Sequence, residues 1–384
     1  MRFLYITVNR LEPPLTGHDI RVSIQLEALG SIGEVERFSL SELSSKEESN
    51  LSGTISIANR QINNTFATQI LQGELKPFFY RRSSEVLERF KNLFTNKSFD
   101  HVIYSGLESA VIREEVSQVL PKAISILDLD ESNYRRNESF LRMPVSRAQR
   151  LVWKKYFPMI ESLEDSMINE FEQIWVCSQI ELETLKKRHP NHDHIYLIPN
   201  GLVRLTGKSV RKLQVSKKLL YVGSYNHLPN QFAVTELVTE IMPKLPDFLL
   251  EVVGKDMPQS WLTFESSQIS YFPNVKDLTP HYELALAAVL PLRAGAGTRI
   301  KVFEAIDFGI PIVSTAFGVE GIGFIEEQHY LRAETPAEFA DQIERLASEP
   351  ELGSELVRRA QVLFLENFSS VALERKILAA LNLK

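Results

Sequence analysis

The sequence holds one cysteine in 384 residues, Cys177. A lone thiol has no partner within the chain, so a disulfide-built scaffold is excluded and a reducing compartment is the default. Positive charge is not in excess. The 43 Lys and Arg against 49 Asp and Glu leave a formal net charge of −6, which argues mildly against a dedicated nucleic-acid binder while allowing a local basic patch. Long apolar runs are lacking too, none approaching the roughly 18 residues of a membrane-crossing helix. Residues 1–10 are apolar over too short a stretch for a secretory leader and have no small-residue cleavage site. They are expected to form the first buried strand of a cytoplasmic protein. What is present is an ordinary globular composition, 44% hydrophobic and 24% charged, in a chain long enough for two or three domains of roughly 150 residues.

Short apolar runs alternate with longer helical patterns along the whole chain, the signature of parallel sheets built from βαβ units. In the first half, strands are expected at 3–8, 35–40, 102–104, 123–127, 174–177 and 195–198. A helix is expected at 20–29, where Ile20, Ile24 and Ala28 recur at steps of four. Residues 41–64 are rich in Ser, Asn and Glu without periodicity and read as a loop or insertion. After Pro199-Asn200-Gly201 the pattern lapses into a polar, basic stretch, and 219–223 opens a second series. That series has strands at 248–253, 287–290 and 311–314, and helices at 231–241, 299–308, 336–347, 351–366 and 371–383. The expected class is α/β. A doubly wound acceptor domain spans 1–199, a linker 200–216, a donor domain 217–366, and a final helix at 367–384 packs back on the first domain. Ligands of open α/β sheets sit beyond the carboxyl ends of the strands, so two such domains point to the cleft between them.

The densest signal is the segment 289–305. A strand leads into Gly295-Ala296-Gly297, then Thr298 at an N-cap position, then a helix carrying Lys301 and Glu304. Glycines let backbone N–H groups approach an anion, and the helix dipole favours phosphate there. Arg293 and Lys301 add charge-assisted bonds suited to a diphosphate. Glu304 shares a face with Lys301 and is placed to accept from ribose hydroxyls. Taken singly, these features make a tight turn, an ordinary cap and a salt pair; together, after a strand, they favour phosphate binding. Ile300 stands where a dinucleotide fingerprint needs Gly or Ala, and no Gly-Lys-Ser/Thr of a Walker loop is present.

The stretch from Pro291 to Gly321 closely resembles the retaining glycosyltransferases of family 4 (group 1), members of the GT-B superfamily. The resemblance rests on Gly295 to Ala305, on Gly309-Ile310-Pro311-Ile312-Val313-Ser314-Thr315, and on Gly318-Val319-Glu320-Gly321. Weaker matches are Tyr221-Val222-Gly223-Ser224 with Pro229-Asn230, Ile198 to Gly201, and the turn from Pro13 to Gly17. The resemblance implies a GT-B fold, a nucleotide-sugar donor held by the second domain, an acceptor on the first, retained configuration, and neither a required metal nor another cofactor. Arg293, Lys301 and Glu304 would be catalytic. Gly223, Ser224, Gly295, Ala296, Gly297 and Thr298 would bind donor, and Gly17, His18, Asp130 and Glu131 acceptor. Two departures stand out. Ala296 occupies a place where many members carry a glutamate, and His18 replaces the second glycine of the N-terminal loop, either touching acceptor or capping the helix.

The Asp128-Leu129-Asp130-Glu131 run also fits the pattern by which metal-dependent transferases of another fold hold a cation. It reads equally as acceptor-binding with Ser132, or as loop residues capping the next helix. Residues 135–160 are basic and aromatic. Arg147, Arg150 and Lys154 lie on one helix face and Trp153, Phe157 and Ile160 on another, either a solvated face over a core or an anionic membrane contact. His189, His192 and His194 are read as a surface turn rather than a metal site, and Cys177 as core. A non-catalytic nucleotide-sugar or glycan-binding protein and a nucleotide-sugar epimerase are the alternatives to a transferase.

Overall fold

Twelve strands lie among the residues that the computed structural model describes, which are 1–8, 17–40, 70, 77–78, 82–201, 216–263 and 266–382. The first six are β1 (Arg2–Thr7), β2 (Glu34–Ser39), β3 (His101–Ser105), β4 (Ile124–Leu129), β5 (Gln173–Val176) and β6 (Ile195–Leu197). They pair in parallel in the order β2-β1-β3-β4-β5-β6. The second sheet holds β7 (Lys218–Ser224), β8 (Leu249–Lys255), β9 (Ile269–Pro273), β10 (Ala287–Leu290), β11 (Ile312–Ser314) and β12 (Leu331–Arg332), also parallel, ordered β12-β11-β10-β7-β8-β9. Parallel strands covered on both faces are apolar throughout rather than alternating, and Phe3, Leu4, Tyr5 and Ile6 of β1 are all fully buried.

The chain forms two compact units. One comprises Met1–Asn200, Gly295–Gly297 and Ser370–Lys384; the other comprises Gly201–Ala294 and Thr298–Ser369. The last helix, Ser370–Ala380, joins the first unit through Leu373, Ile377 and Ala380, which share an apolar cluster with Phe3, Val22, Ala28 and Leu29. Ten strands fall where the apolar runs predict them, within two residues at their ends. The other two are edge strands with weak signals: β9 is partly exposed and ends in Pro273, and β12 has two residues. Pro is confined to such edges because it cannot donate to a ladder. The helix expected at 231–241 instead begins at Leu228, with Pro229 in its first turn, and shifts to a wider π turn over Leu237–Ile241. The expected loop at 41–64, the turn residues before Gly17 and most of the expected linker lie outside the described residues.

Each sheet reverses its winding once. In the first, the chain runs outward from β1 to β2 and returns on the other side at β3; in the second, β7 to β9 run one way and β10 returns beside β7. These reversals open crevices at the carboxyl ends of β1/β3 and of β7/β10, where ligands of doubly wound sheets bind.

Beside the first crevice lies a buried ion pair. Arg21, on helix Gly17–Ile32, donates from Nε (3.0 Å) and Nη2 (2.5 Å) to Asp128 at the end of β4, both side chains being 1% exposed. Arg21 Nη1 also donates to the Ile198 carbonyl (2.9 Å) and Asn200 Oδ1 (2.7 Å), and Gln25 Nε2 donates to Asp128. Burial disfavours the Arg21 cation, but the Asp128 carboxylate outweighs it and holds the guanidinium firmly charged. Removing one partner strands the other without solvent. Asp128→Ala is expected to cost about 3–5 kcal/mol in urea unfolding, and the apolar pair Arg21→Met with Asp128→Leu much less. A single-mutant loss below about 1 kcal/mol would contradict this account.

Candidate functional site

At the carboxyl end of β7 the strand finishes with Gly223 and Ser224, and helix Leu228–Glu236 begins four residues later. Asn230 in that first turn is buried, and a Cβ on Gly223 would come within 3.1 Å of its amide group. On the other side of the crevice, β10 leads through 291–299 into helix Ile300–Asp307. The N-cap of this helix is Arg299, one residue beyond the expected Thr298, and no side chain caps it. Both residues are buried, with the Arg299 guanidinium 4.5 Å over the Phe317 ring.

Lys301 Nζ donates to the Tyr221 hydroxyl (3.1 Å) and Asn230 Oδ1 (2.9 Å) and lies 4.3 Å over the Tyr221 ring. Burial drives its pKa down to about 7, Glu304 opposing and neighbouring Arg299 adding to the fall. Glu304 accepts from the Tyr282 hydroxyl at 3.1 Å, and burial raises its pKa against that bond. Two cations and one carboxyl thus start a single helix, Lys301 held by Tyr221 and Asn230 and Glu304 by Tyr282. Arg293 lies apart. Its side chain is half exposed and donates to Glu236 through Nε (2.9 Å) and Nη2 (2.6 Å), and to the Glu334 carbonyl (2.7 Å). Those bonds raise its pKa further and occupy the fork that a diphosphate would need.

The first crevice holds a cleft of about 240 Å³ lined by His18, Ser105, Glu108, Asp130, Glu131 and Arg136, among others. His18, in the first turn of its helix, bridges Asp130 Oδ2 (2.8 Å, from Nδ1) and Ser105 Oγ (3.0 Å, from Nε2). Burial works against its charge, but the Asp130 carboxylate prevails and lifts the imidazole pKa to about 9. Burial likewise penalises the Asp130 anion; His18 overcomes it and holds the carboxyl below its usual range. Glu131 is paired with Arg136 at 3.0 Å. Gly17 opens the helix at the surface.

Two buried carboxyls support this cleft from behind. Helix Asn133–Leu141 has no side-chain cap of its own. Glu164 instead accepts from the Asn133 backbone (2.9 Å) and Ser132 Oγ (3.2 Å), and Glu181 from the Ser132 backbone (3.2 Å). Burial raises both carboxyls to about 7. The glycines expected to face phosphate group with this unit. Gly295 N donates to Ser139 Oγ at 2.9 Å and Gly297 N to Glu181 Oε1 at 3.3 Å, the latter glycine at φ +68° with Ala296 between them.

The acidic run is therefore divided in use: Asp128 answers Arg21, Asp130 holds His18, and Glu131 holds Arg136. Among the described residues no group of three His, Cys, Asp or Glu is placed to hold a metal ion. His189 lies 2.9 Å from Asp165, and His192 bonds the Phe171 carbonyl. Cys177 is buried, its thiol donating to the Asp130 carbonyl. On helix Arg147–Glu170, Trp153, Phe157 and Ile160 are core, whereas Arg150 is turned to the Leu141 and Met143 carbonyls rather than to solvent. Arg299 and Asn230 carry no role in the sequence reading. The signal for Arg299 was its place beside Lys301 at the helix start; that for Asn230 was the weak Pro229-Asn230 match shortly after a strand.

Two doubly wound parallel sheets, each with a polar cluster at its point of reversal, give the chain the GT-B fold. Similar solved structures are Anabaena HepE in complex with UDP and glucose (TM-score 0.67, 12% identity, 100% of this chain and 99% of that one) and TarM (0.68, 10%, 100% and 99%). A mutant of S. aureus TarM in complex with fondaparinux, α-GlcNAc-glycerol and UDP is similar at TM-score 0.59 and 12% identity, over 77% of this chain and 58% of that one, so that the present chain spans little over half its length. No curated protein matches the sequence. Residues 216–349 match the family described as glycosyl transferases group 1. The similarity to group 1 glycosyltransferases in sequence is confined to that stretch, about a third of the chain.

The His18 pair is directly observable. In a proton-detected titration the His18 imidazole should change charge near pH 9, and in Asp130→Asn its midpoint should fall, because only Asp19 and Asp128 then oppose burial. An unchanged midpoint would show that Asp130 is not what holds the proton.

Proposed function

We propose that the protein is a retaining glycosyltransferase that moves a sugar from a nucleotide diphosphate donor to a hydroxyl of a saccharide or glycolipid, without a required metal. The observation that carries this reading is the juxtaposition of Lys301, bonded to Tyr221 of β7, with Arg299 at the start of helix Ile300–Asp307. Confining two cations costs free energy that a bound dianion returns, and the diphosphate leaving group is where charge develops during transfer. Glu304, held through Oε2 by Tyr282, has a second oxygen to accept from ribose. Arg299 takes the part that the sequence reading assigned to Arg293. HepE and TarM, in complexes containing UDP, have the same fold, which supports a uridine nucleotide as the first donor to test.

In the first unit, the His18–Asp130 pair and Glu131 provide charged and polar edges for acceptor hydroxyls. With Ala296 in place of a carboxylate, chemistry depends on donor orientation and leaving-group stabilisation rather than on a strong protein nucleophile at that position. A cytoplasmic location at an anionic membrane face is part of the same proposal. It is supported by the exposed Arg147, Lys154 and Lys155 beside Leu151, which is 55% exposed on the same helix. Among the described residues no helix is long and apolar enough to cross a membrane.

Lys301→Ala and Arg299→Ala should each lower kcat/KM by about 10²-fold or more and abolish the thermal stabilisation produced by UDP, GDP or ADP sugars. Arg293→Ala should stay within about threefold of the parent, a loss comparable with the other two reversing the assignment. A diphosphate binds best while Lys301 is protonated. Affinity for UDP-glucose should therefore be greatest below pH 7, the Lys301 midpoint, and weaken by up to about tenfold per pH unit above it. For the membrane contact, co-sedimentation with phosphatidylglycerol vesicles should fall as salt rises and be lost in Lys154→Glu with Lys155→Glu; salt-independent sedimentation would count against it.

A further inference from the structure

Asn230 helps to join the three elements of the second crevice. Its Oδ1 accepts from both the Tyr221 hydroxyl (2.8 Å) and Lys301 Nζ (2.9 Å), and its Nδ2 donates to the Ser224 carbonyl (2.8 Å). It is 8% exposed, so these bonds are made where a lost partner is not replaced by bulk water. The space beside it is reserved, since a side chain on Gly223 would press on the Asn230 amide.

A lysine is a point charge on a flexible stem, and holding it in one place requires partners. Lys301 faces Glu304 and Arg299 from its own segment, Tyr221 from β7, and Asn230 from helix Leu228–Glu236. Three of these could fix it. Glu304 would do so by neutralising it, which would remove the charge a phosphate needs. Asn230 and Tyr221 do so with dipoles and leave the charge whole. Tyr282 completes the arrangement by taking up Glu304.

We infer that Asn230 is a positioning residue for the transfer reaction, holding the Lys301 ammonium at the end of β7 with a neutral acceptor so that its charge stays available to the donor diphosphate. This rests on the reading of Lys301 as a diphosphate ligand. It makes the identity of residue 230 sensitive to charge more than to size. An aspartate there has the same shape and the same reach, yet it would pair with the ammonium and compete with the phosphates.

The experiment is UDP titration by calorimetry between pH 6 and 8.5 on the full chain, its Asn230→Asp, Asn230→Ala and Lys301→Ala variants, and the Asn230→Ala/Lys301→Ala double variant, with folding followed by circular dichroism. Asn230→Asp should weaken UDP binding by at least about tenfold and move the fall of affinity with pH upward by a unit or more, because the new carboxylate keeps Lys301 protonated. Asn230→Ala should weaken binding about fivefold in the parent and have no further effect once Lys301 is gone, the non-additivity expected of residues acting through one another. If Lys301→Ala binds UDP like the parent, the donor-site reading fails. If Lys301→Ala loses binding while Asn230→Asp keeps the parent's affinity and pH profile, only the inference about Asn230 falls. Additive losses from Asn230→Ala and Lys301→Ala would likewise overturn it and leave Asn230 a packing residue.

Discussion

The bond between Arg21 and Asp128 organises the first unit. A guanidinium that is 1% exposed is tolerable only because a carboxylate equally buried meets it with two bonds, and because the Ile198 carbonyl and Asn200 use its remaining donors. The pair ties helix Gly17–Ile32, β4 and the segment after β6 into one register. His18 stands three residues before Arg21 and Asp130 two beyond Asp128, so locking the first pair brings the second within 2.8 Å. The cleft owes its geometry to a contact it does not contain.

The second unit solves the same problem of buried charge in the opposite way. Among the described residues Lys301 meets no carboxylate at bonding distance; a phenol and an amide hold it, and its proton affinity drops toward neutrality. A structural cation is answered with an anion, because a permanent partner removes the electrostatic cost. A cation held by dipoles retains that cost until a ligand arrives. The contrast is between Arg21, held firmly charged by an anion, and Lys301, held by dipoles and poised near pH 7.

Much of this was legible in the chain itself. Fully buried parallel strands write themselves as apolar runs, which is why β1, β3 and β10 are plain in the sequence. An edge strand such as β12 buries little and leaves little trace. Lys301 and Glu304 were visible because a strand, a glycine turn and a helix start carry their chemistry within a few residues. Arg293 was misleading for the same reason: proximity along the chain placed it near the turn, while the fold gave its fork to Glu236, 57 residues away. Asn230 shows the reverse. Its partners Tyr221 and Lys301 lie 9 and 71 residues off; the weak Pro229-Asn230 match marked its place, but no local pattern shows what it joins.

The two parallel sheets, the place of the glycine turn before helix Ile300–Asp307 and the absence of any disulfide within the chain follow from the amino acids alone, because these depend on periodicity, on local backbone freedom and on a single thiol. Only the tertiary structure decided which carboxylates of the acidic run face outward, which arginine stands beside Lys301, and what holds that lysine. Those outcomes depend on which groups from distant segments are brought together out of water, where each charge must find either an opposite charge or a set of dipoles.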